Sequence, residues 1–134
     1  MTTRLSQLSI TIVLLVMCAM PSLAQAPTKA RALTPKQAQQ VMTTTPGIVI
    51  LDIRTPEEYR SGHIKGAENM DFYSRDFQKD LNALDKTKPY LIYCRTGRRS
   101  NVTIKYMEQM GFENILHMAK GIMDWTGRGL PLEH

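Results

Sequence analysis

The stretch Tyr90-Leu91-Ile92-Tyr93-Cys94-Arg95-Thr96-Gly97-Arg98-Arg99-Ser100 decides the reading of the chain. Four consecutive apolar or aromatic residues form a short run of the kind found in a strand buried on both faces. A cysteine closes that run, a Gly-containing loop follows, and a helix is predicted from about Arg99 to Met110, ended by Gly111. Val102, Tyr106 and Met110 recur at helical spacing and are expected to share one face. Ligands of open parallel sheets bind at the carboxyl ends of the strands. The backbone N–H groups of a loop that opens a helix there form a nest for negative charge. The same field, with Arg95, Arg98 and Arg99 beside it, lowers the pKa of a thiol, and the thiolate is the competent nucleophile. Thr96 or Ser100 could donate a hydroxyl hydrogen bond to the sulfur, and Gly97 permits the tight turn. The bland readings are an inert buried cysteine and a solvated charge run. Three arginines beside an apolar thiol argue against the first, and Arg98 is the first candidate for the second.

Working outward, Ile48-Val49-Ile50-Leu51, bounded by Gly47 and Asp52, is a second run predicted to be a central parallel strand. Thr34-Pro35 is an N-cap followed by proline at the first helical position, predicting a helix of two or three turns that ends before Pro46-Gly47. Thr55-Pro56-Glu57-Glu58 opens a short helix that Gly62 stops. His63 to Asp71 is expected to be a loop and a short strand, Ser74 to Leu84 a helix with Phe77, Leu81 and Leu84 on one face. Ile115 to Met118 is a further strand, Gly121 to Thr126 a closing helical segment, and Pro131 to His134 an unstructured end. Strands alternating with helices imply an α/β domain with a parallel sheet covered on both faces.

The first two dozen residues differ from the rest. Arg4 followed by the apolar run Leu8 to Met20, Pro21 and small residues at Ser22, Ala24 and Ala26 has the pattern of a signal peptide. We expect cleavage after Ala24, with Ala26 the alternative, although Pro27 would then follow the scissile bond. An uncleaved anchor is a rival reading of a run that is short for a membrane span. Lipidation at Cys18 is disfavoured by Met17 before it. Residues 25–31 read as a linker and 32–134 as the domain. Removal of the leader would leave about 110 of the 134 residues, enough for one core, and Cys94 as the sole thiol, so that no intramolecular disulfide could form.

The formal charge of +5 would fall by one to +4 with the loss of Arg4. Such an excess suits small anions as well as nucleic acid. No long basic face with interleaved aromatics is visible, which disfavours nucleic acid. His117 and His134 have no partners at ligand spacing, so no metal site is expected. Met107, Met110, Met118 and Met123 read as core packing, and Trp125 as a core plug. Asp52 at a strand end is expected to hold the neighbouring loop, Arg54 to pair with Glu57 or Glu58, and His63 to be a hydrogen-bonded structural residue.

The loop Cys94-Arg95-Thr96-Gly97-Arg98-Arg99-Ser100 resembles the active-site loop of rhodanese domains. Asp52-Ile53-Arg54 with Glu57-Glu58-Tyr59, then Gly62-His63-Ile64 and Gly66-Ala67-Glu68-Asn69, are similar to that family's upstream motifs, and Gly121 with Trp125 to its closing glycine and tryptophan. The ordered set covers about Thr34 to Pro131, and with the leader the chain resembles small periplasmic rhodaneses. The resemblance implies a rhodanese-like three-layer sandwich with a central five-stranded parallel sheet flanked by helices. It implies sulfur transfer through a Cys94 persulfide, with residues Arg95, Thr96, Gly97, Arg98, Arg99 and Ser100 around the substrate and Asp52 and Arg54 as structural support. The partners would be a small anionic sulfur donor such as thiosulfate and a thiol or cyanide acceptor, with no metal or organic cofactor. We expect a periplasmic monomer without stable membrane association once the leader is removed. Two rivals remain. A cysteine-dependent phosphatase or arsenate reductase also sets a thiolate in an anion cradle, but tyrosine-type phosphatases place arginine six positions after the cysteine, where Ser100 stands here. A non-enzymatic binding module is the other, and the presence of Cys94 weighs against it.

Overall fold

The computed structural model describes residues 29–134, so the expected leader and residues 25–28 of the expected linker lie outside the described residues. The elements run β1 (Arg31–Leu33), α1 (Pro35–Thr44), β2 (Val49–Asp52), α2 (Pro56–Arg60), β3 (Ala67–Asn69), α3 (Phe77–Asn82), β4 (Pro89–Tyr93), α4 (Arg98–Gln109), β5 (Asn114–Met118) and α5 (Gly121–Gly127). All five strands pair in parallel, in the order β1-β5-β4-β2-β3. The apolar run before Cys94 is therefore the middle strand of the sheet, as its composition requires. The linker was expected to reach Arg31, but β1 already begins there, pairing Arg31 with Leu116. Ala30 is also held, its N–H donating to a Glu108 carboxylate oxygen at 2.8 Å.

Side-chain alternation divides the core into two layers. Leu91 and Tyr93 of β4 pack with Leu116, Met118, Ala38 of α1 and Ile122 and Trp125 of α5. Tyr90 and Ile92 pack on the other face with Ile115, Leu81 of α3 and Ile104 and Met107 of α4. Each fully buried large apolar side chain contributes roughly 1.5–3 kcal/mol, so these two layers carry most of the stabilisation. The two predicted N-caps are complete capping boxes: Thr34 and Gln37 exchange bonds at the start of α1, Thr55 and Glu58 at the start of α2.

Several further expectations are corrected. Of the face expected for α4, Tyr106 and Met110 are half-buried against the core, but Val102 is 38% exposed, and the fully buried side is Ser100, Thr103, Ile104 and Met107. The third helix is shorter than Ser74 to Leu84. Met123 lies on the surface rather than in the core. The C-terminal end is structured: His63 and Glu133 exchange backbone hydrogen bonds at 2.8 Å each, and the Trp125 Nε1–H donates to the Pro131 carbonyl at 2.9 Å.

The buried polar centre of the fold lies at the end of β2. Arg54 does not pair with Glu57 or Glu58. Its Nε–H donates to both Asp52 carboxylate oxygens at 2.9 and 3.0 Å, its Nη2 to Asp52 Oδ2 at 2.6 Å and to the Gly62 carbonyl at 2.7 Å. Asp52 also accepts the Arg54 backbone N–H at 2.9 Å and the Tyr93 hydroxyl at 2.8 Å, and that hydroxyl accepts the Ile64 N–H at 3.1 Å. Desolvation would lower the Arg54 pKa, but the hydrogen bond and charge of Asp52 outweigh it and raise it. Burial together with the neighbouring Asp52 charge raises the Tyr93 pKa, so the phenol keeps its proton. Truncating one partner of such a pair leaves a buried charge uncompensated. We therefore predict that Arg54→Ala lowers unfolding stability by about 3–5 kcal/mol, measured as a shift in the urea midpoint; a loss within the range of a surface substitution would contradict the assignment.

Candidate active site

Cys94 follows the last residue of β4, at the carboxyl edge of the central strand, and its thiol is free and 1% exposed. Two close approaches shape the loop around it. Gly97, the N-cap of α4, has φ 98°, and a Cβ there would overlap the carbonyl of Ala119. A Cβ on Gly121 would likewise overlap the carbonyl of Arg95. This proximity lets the first turn of α5 take up two loop carbonyls: Ile122 N–H donates to Cys94 O at 2.9 Å and Met123 N–H to Arg95 O at 3.1 Å. With those carbonyls tied to α5, the sulfur faces donors. Gly97 N–H donates to Sγ at 3.1 Å, and Ser100 Oγ lies 3.4 Å from it. Burial alone would push the thiol up, but the Ser100 hydroxyl and the backbone N–H groups of Ser100, Gly97 and Thr96 outweigh it, and the Cys94 pKa lies below its ordinary value. Of the two hydroxyls considered, it is Ser100 that reaches the sulfur; Thr96 is on the surface and contributes through its backbone.

The three arginines divide. Arg99 donates from Nη1 and Nη2 to the two carboxylate oxygens of Glu58 at 2.7 and 2.8 Å, a fork that joins α4 to α2. Its hydrogen bonds hold the Glu58 pKa down to about 2. Arg95 and Arg98 are exposed and form no ion pair among the described residues. All three line a cavity of about 620 Å³, with Thr96, Phe72, Tyr73 and Val102 among its other walls. Its apolar side is unusual for this surface: Tyr73 is 67% exposed and Val102 38%. The Cys94 sulfur is not itself in the wall but lies beneath the loop residues that form it.

Asp52 and Arg54 stand behind this arrangement, reaching β4 through Tyr93, the residue before Cys94. His63 stacks on Tyr59 with ring centroids 3.8 Å apart, and its Nδ1 is 3.1 Å from the Tyr59 carbonyl oxygen, as a structural histidine would be. Sequence reasoning missed His117. It is 8% exposed on β5, one residue before the strand's end, and its Nε2 lies 2.7 Å from Ser100 Oγ. The available signal was a histidine inside an otherwise apolar, buried strand, since a polar group in that position requires a partner.

Among the described residues, the parallel sheet and this thiol in a loop of N–H donors define an α/β domain with a buried cysteine at the carboxyl edge of its central strand. The rhodanese-like domain family matches residues 34–128, and the chain belongs to that family. Over 96 residues it is 32% identical to the thiosulfate sulfurtransferase GlpE of Pseudomonas entomophila, covering 71% of this chain and 84% of that protein. A longer Bacillus subtilis protein, YrkF, is 31% identical over 90 residues, spanning 67% of this chain but only 48% of YrkF, about half its length. Among solved structures, the polysulfide-sulfur transferase homodimer of Wolinella succinogenes aligns with a TM-score of 0.64 at 28% identity, over 78% of each chain. Together these relatives place the protein among the sulfurtransferases.

Glu58 has an ordinary pKa of 4.5 and a folded value of about 2, so its ionised form is favoured by folding. The stability this gives is fully present above the unfolded value and is lost as pH falls from about 4.5 towards 2. We predict that Glu58→Gln flattens the acid limb of the stability profile in that window, followed by thermal melts across pH; an unchanged limb would mean that the fork to Arg99 does not persist in solution.

Proposed function

We propose that the protein transfers sulfane sulfur from thiosulfate or a similar small anionic donor to a thiol or cyanide acceptor through a persulfide on Cys94. The observation that carries this reading is a buried thiol that receives the Gly97 N–H at 3.1 Å, next to a cavity lined by Arg95, Thr96 and Arg98; the Ser100 hydroxyl and the loop N–H groups also favour its ionised form. The Cys94 thiolate would attack the outer sulfur of thiosulfate. The new S–S bond forms as the bond to the sulfonate sulfur breaks, and sulfite departs with the electron pair. The attached sulfur, now carrying the negative charge, would be stabilised by the loop amides and by Ser100. Attack on that outer sulfur by cyanide gives thiocyanate, and attack by a thiolate gives a new persulfide; in both cases the Cys94 thiolate is the leaving group.

Arg95 and Arg98 are the cations proposed to meet the donor, because Arg99 is engaged with Glu58. A cavity of about 620 Å³ with Phe72, Tyr73 and Val102 in its wall is of the size that holds organic ligands, which supports a thiol over cyanide as the natural acceptor. The name of the Pseudomonas relative supports thiosulfate as a donor, and that of the Wolinella protein supports sulfane sulfur more generally. Thr96 and Gly97 would serve through their backbone, Asp52 and Arg54 by holding β4. The proposed setting is the periplasm, reached through the expected leader, with the protein acting as a monomer.

The test mixes the purified protein or its Cys94→Ser variant with thiosulfate and cyanide, following thiocyanate and the intact mass. We expect thiocyanate and a mass gain of one sulfur atom in the wild type, with turnover lower by on the order of a thousandfold or more in the variant. Hydrolysis of an aryl phosphate without sulfur uptake would replace this reading by the phosphatase; neither activity would favour a binding module.

A further inference from the structure

Ser100 is completely buried, and its hydroxyl has one hydrogen and three polar neighbours: the Gly97 carbonyl oxygen at 3.1 Å, His117 Nε2 at 2.7 Å and Cys94 Sγ at 3.4 Å. The carbonyl only accepts, and an ionised sulfur only accepts. If His117 Nε2 also lacked a hydrogen, three acceptors would compete for one proton at a site closed to water, leaving lone pairs opposed. The shortest of the three contacts would then take the proton away from the sulfur. A hydrogen on Nε2 reduces the conflict: the ring donates to Ser100 Oγ, and the hydroxyl hydrogen is shared only between Gly97 O and Sγ.

We propose that His117 is a positioning residue for the Cys94 sulfur: its Nε2–H donates to Ser100 Oγ and so commits the Ser100 hydroxyl hydrogen to the Gly97–Cys94 side, where it stabilises the thiolate. This deepens the sulfur-transfer reading and rests on it for its biological meaning. The fold supplies the geometry. His117 is opposite Ile92 in the β5–β4 ladder, two residues before Cys94, and Ser100 is in the first turn of α4, which packs on the same face of the sheet. Burial alone lowers the His117 pKa, with no charged group contributing, so near neutral pH the ring is neutral and carries a single hydrogen. Arg99 is near enough to feel the charge of the sulfur, but its guanidinium stays on Glu58. The histidine therefore acts through hydrogen-bond direction rather than through charge.

Two measurements on the full chain test this without requiring turnover. The first reads the ¹⁵N shifts of His117 in the wild type; we expect Nε2 in the protonated range and Nδ1 in the bare range, and the opposite tautomer would overturn the proposal. The second follows the pH dependence of Cys94 alkylation and thiolate absorbance in His117→Phe, His117→Gln and Ser100→Ala. Losing a hydrogen bond to a charged group should reduce alkylation by about tenfold at mildly acid pH in His117→Phe and in Ser100→Ala. The variant combining His117→Phe with Ser100→Ala should lose no more than either single one, and His117→Gln, which can present an amide N–H near the Nε2 position, should recover to within about twofold. A folded His117→Phe protein with the wild-type profile, or losses that add in the double variant, would overturn it. Because alkylation and shifts report on the resting thiol, failure of the sulfur-transfer reading would show separately, as normal alkylation with no thiocyanate.

Discussion

The buried Asp52–Arg54 pair is the constraint to which the site end of the sheet answers. It is surrounded by its own hydrogen bonds: the carboxylate accepts from Arg54 and the Tyr93 hydroxyl, while the guanidinium also reaches the Gly62 carbonyl. The pair thereby ties the end of β2 to the end of β4 and to the loop that leads into β3. A buried pair of this kind gives little net stability against a hydrophobic replacement, but breaking it is costly. Its effect is to allow one arrangement of three chain segments. Tyr93 points to this network, so strand alternation sends Cys94 to the opposite face, over α4.

On that opposite face the Ser100 hydroxyl and the loop backbone together set the chemistry. Gly97 and Gly121 let the 95–97 loop and the start of α5 approach closer than a Cβ would allow, and α5 takes up the carbonyls of Cys94 and Arg95. What remains around the sulfur is a set of N–H groups and one hydroxyl. Burial opposes ionisation of the thiol and these donors favour it, and the donors prevail. Such donors are fixed before any ligand arrives and need no reorganisation, which is the condition under which hydrogen bonds to developing charge are most effective.

The arginines show how the same residue type is divided between structure and recognition. Arg99, with its planar fork, is matched to both oxygens of Glu58, whose third contact is the backbone N–H of Thr55 in a capping box. One carboxylate thus closes the start of α2 and braces α4. Arg95 and Arg98 are left exposed at the cavity, so positive charge is presented beside the loop without a carboxylate partner among the described residues.

Much of the fold was legible from the chain because it follows from local pattern. The continuous apolar runs before Asp52 and Cys94 read as strands buried on two faces, the Thr-Pro pairs as helix starts, and the cysteine-loop-helix order as a site at the carboxyl edge of a parallel sheet. Ser100 and the loop glycine were within a few residues of the thiol and could be placed beside it. The partner of Arg54, the Glu58–Arg99 fork across 41 positions, the His117–Ser100 contact across 17 and the pinning of the C-terminal end to His63 were not legible. Arg54 had acidic neighbours on both sides in sequence, and burial rather than spacing chose Asp52. His117 looked solitary because its partner lies on another element. Periodicity determines which residues share a face, but which faces meet is decided when the sheet closes its ladders and each buried polar group must find a partner.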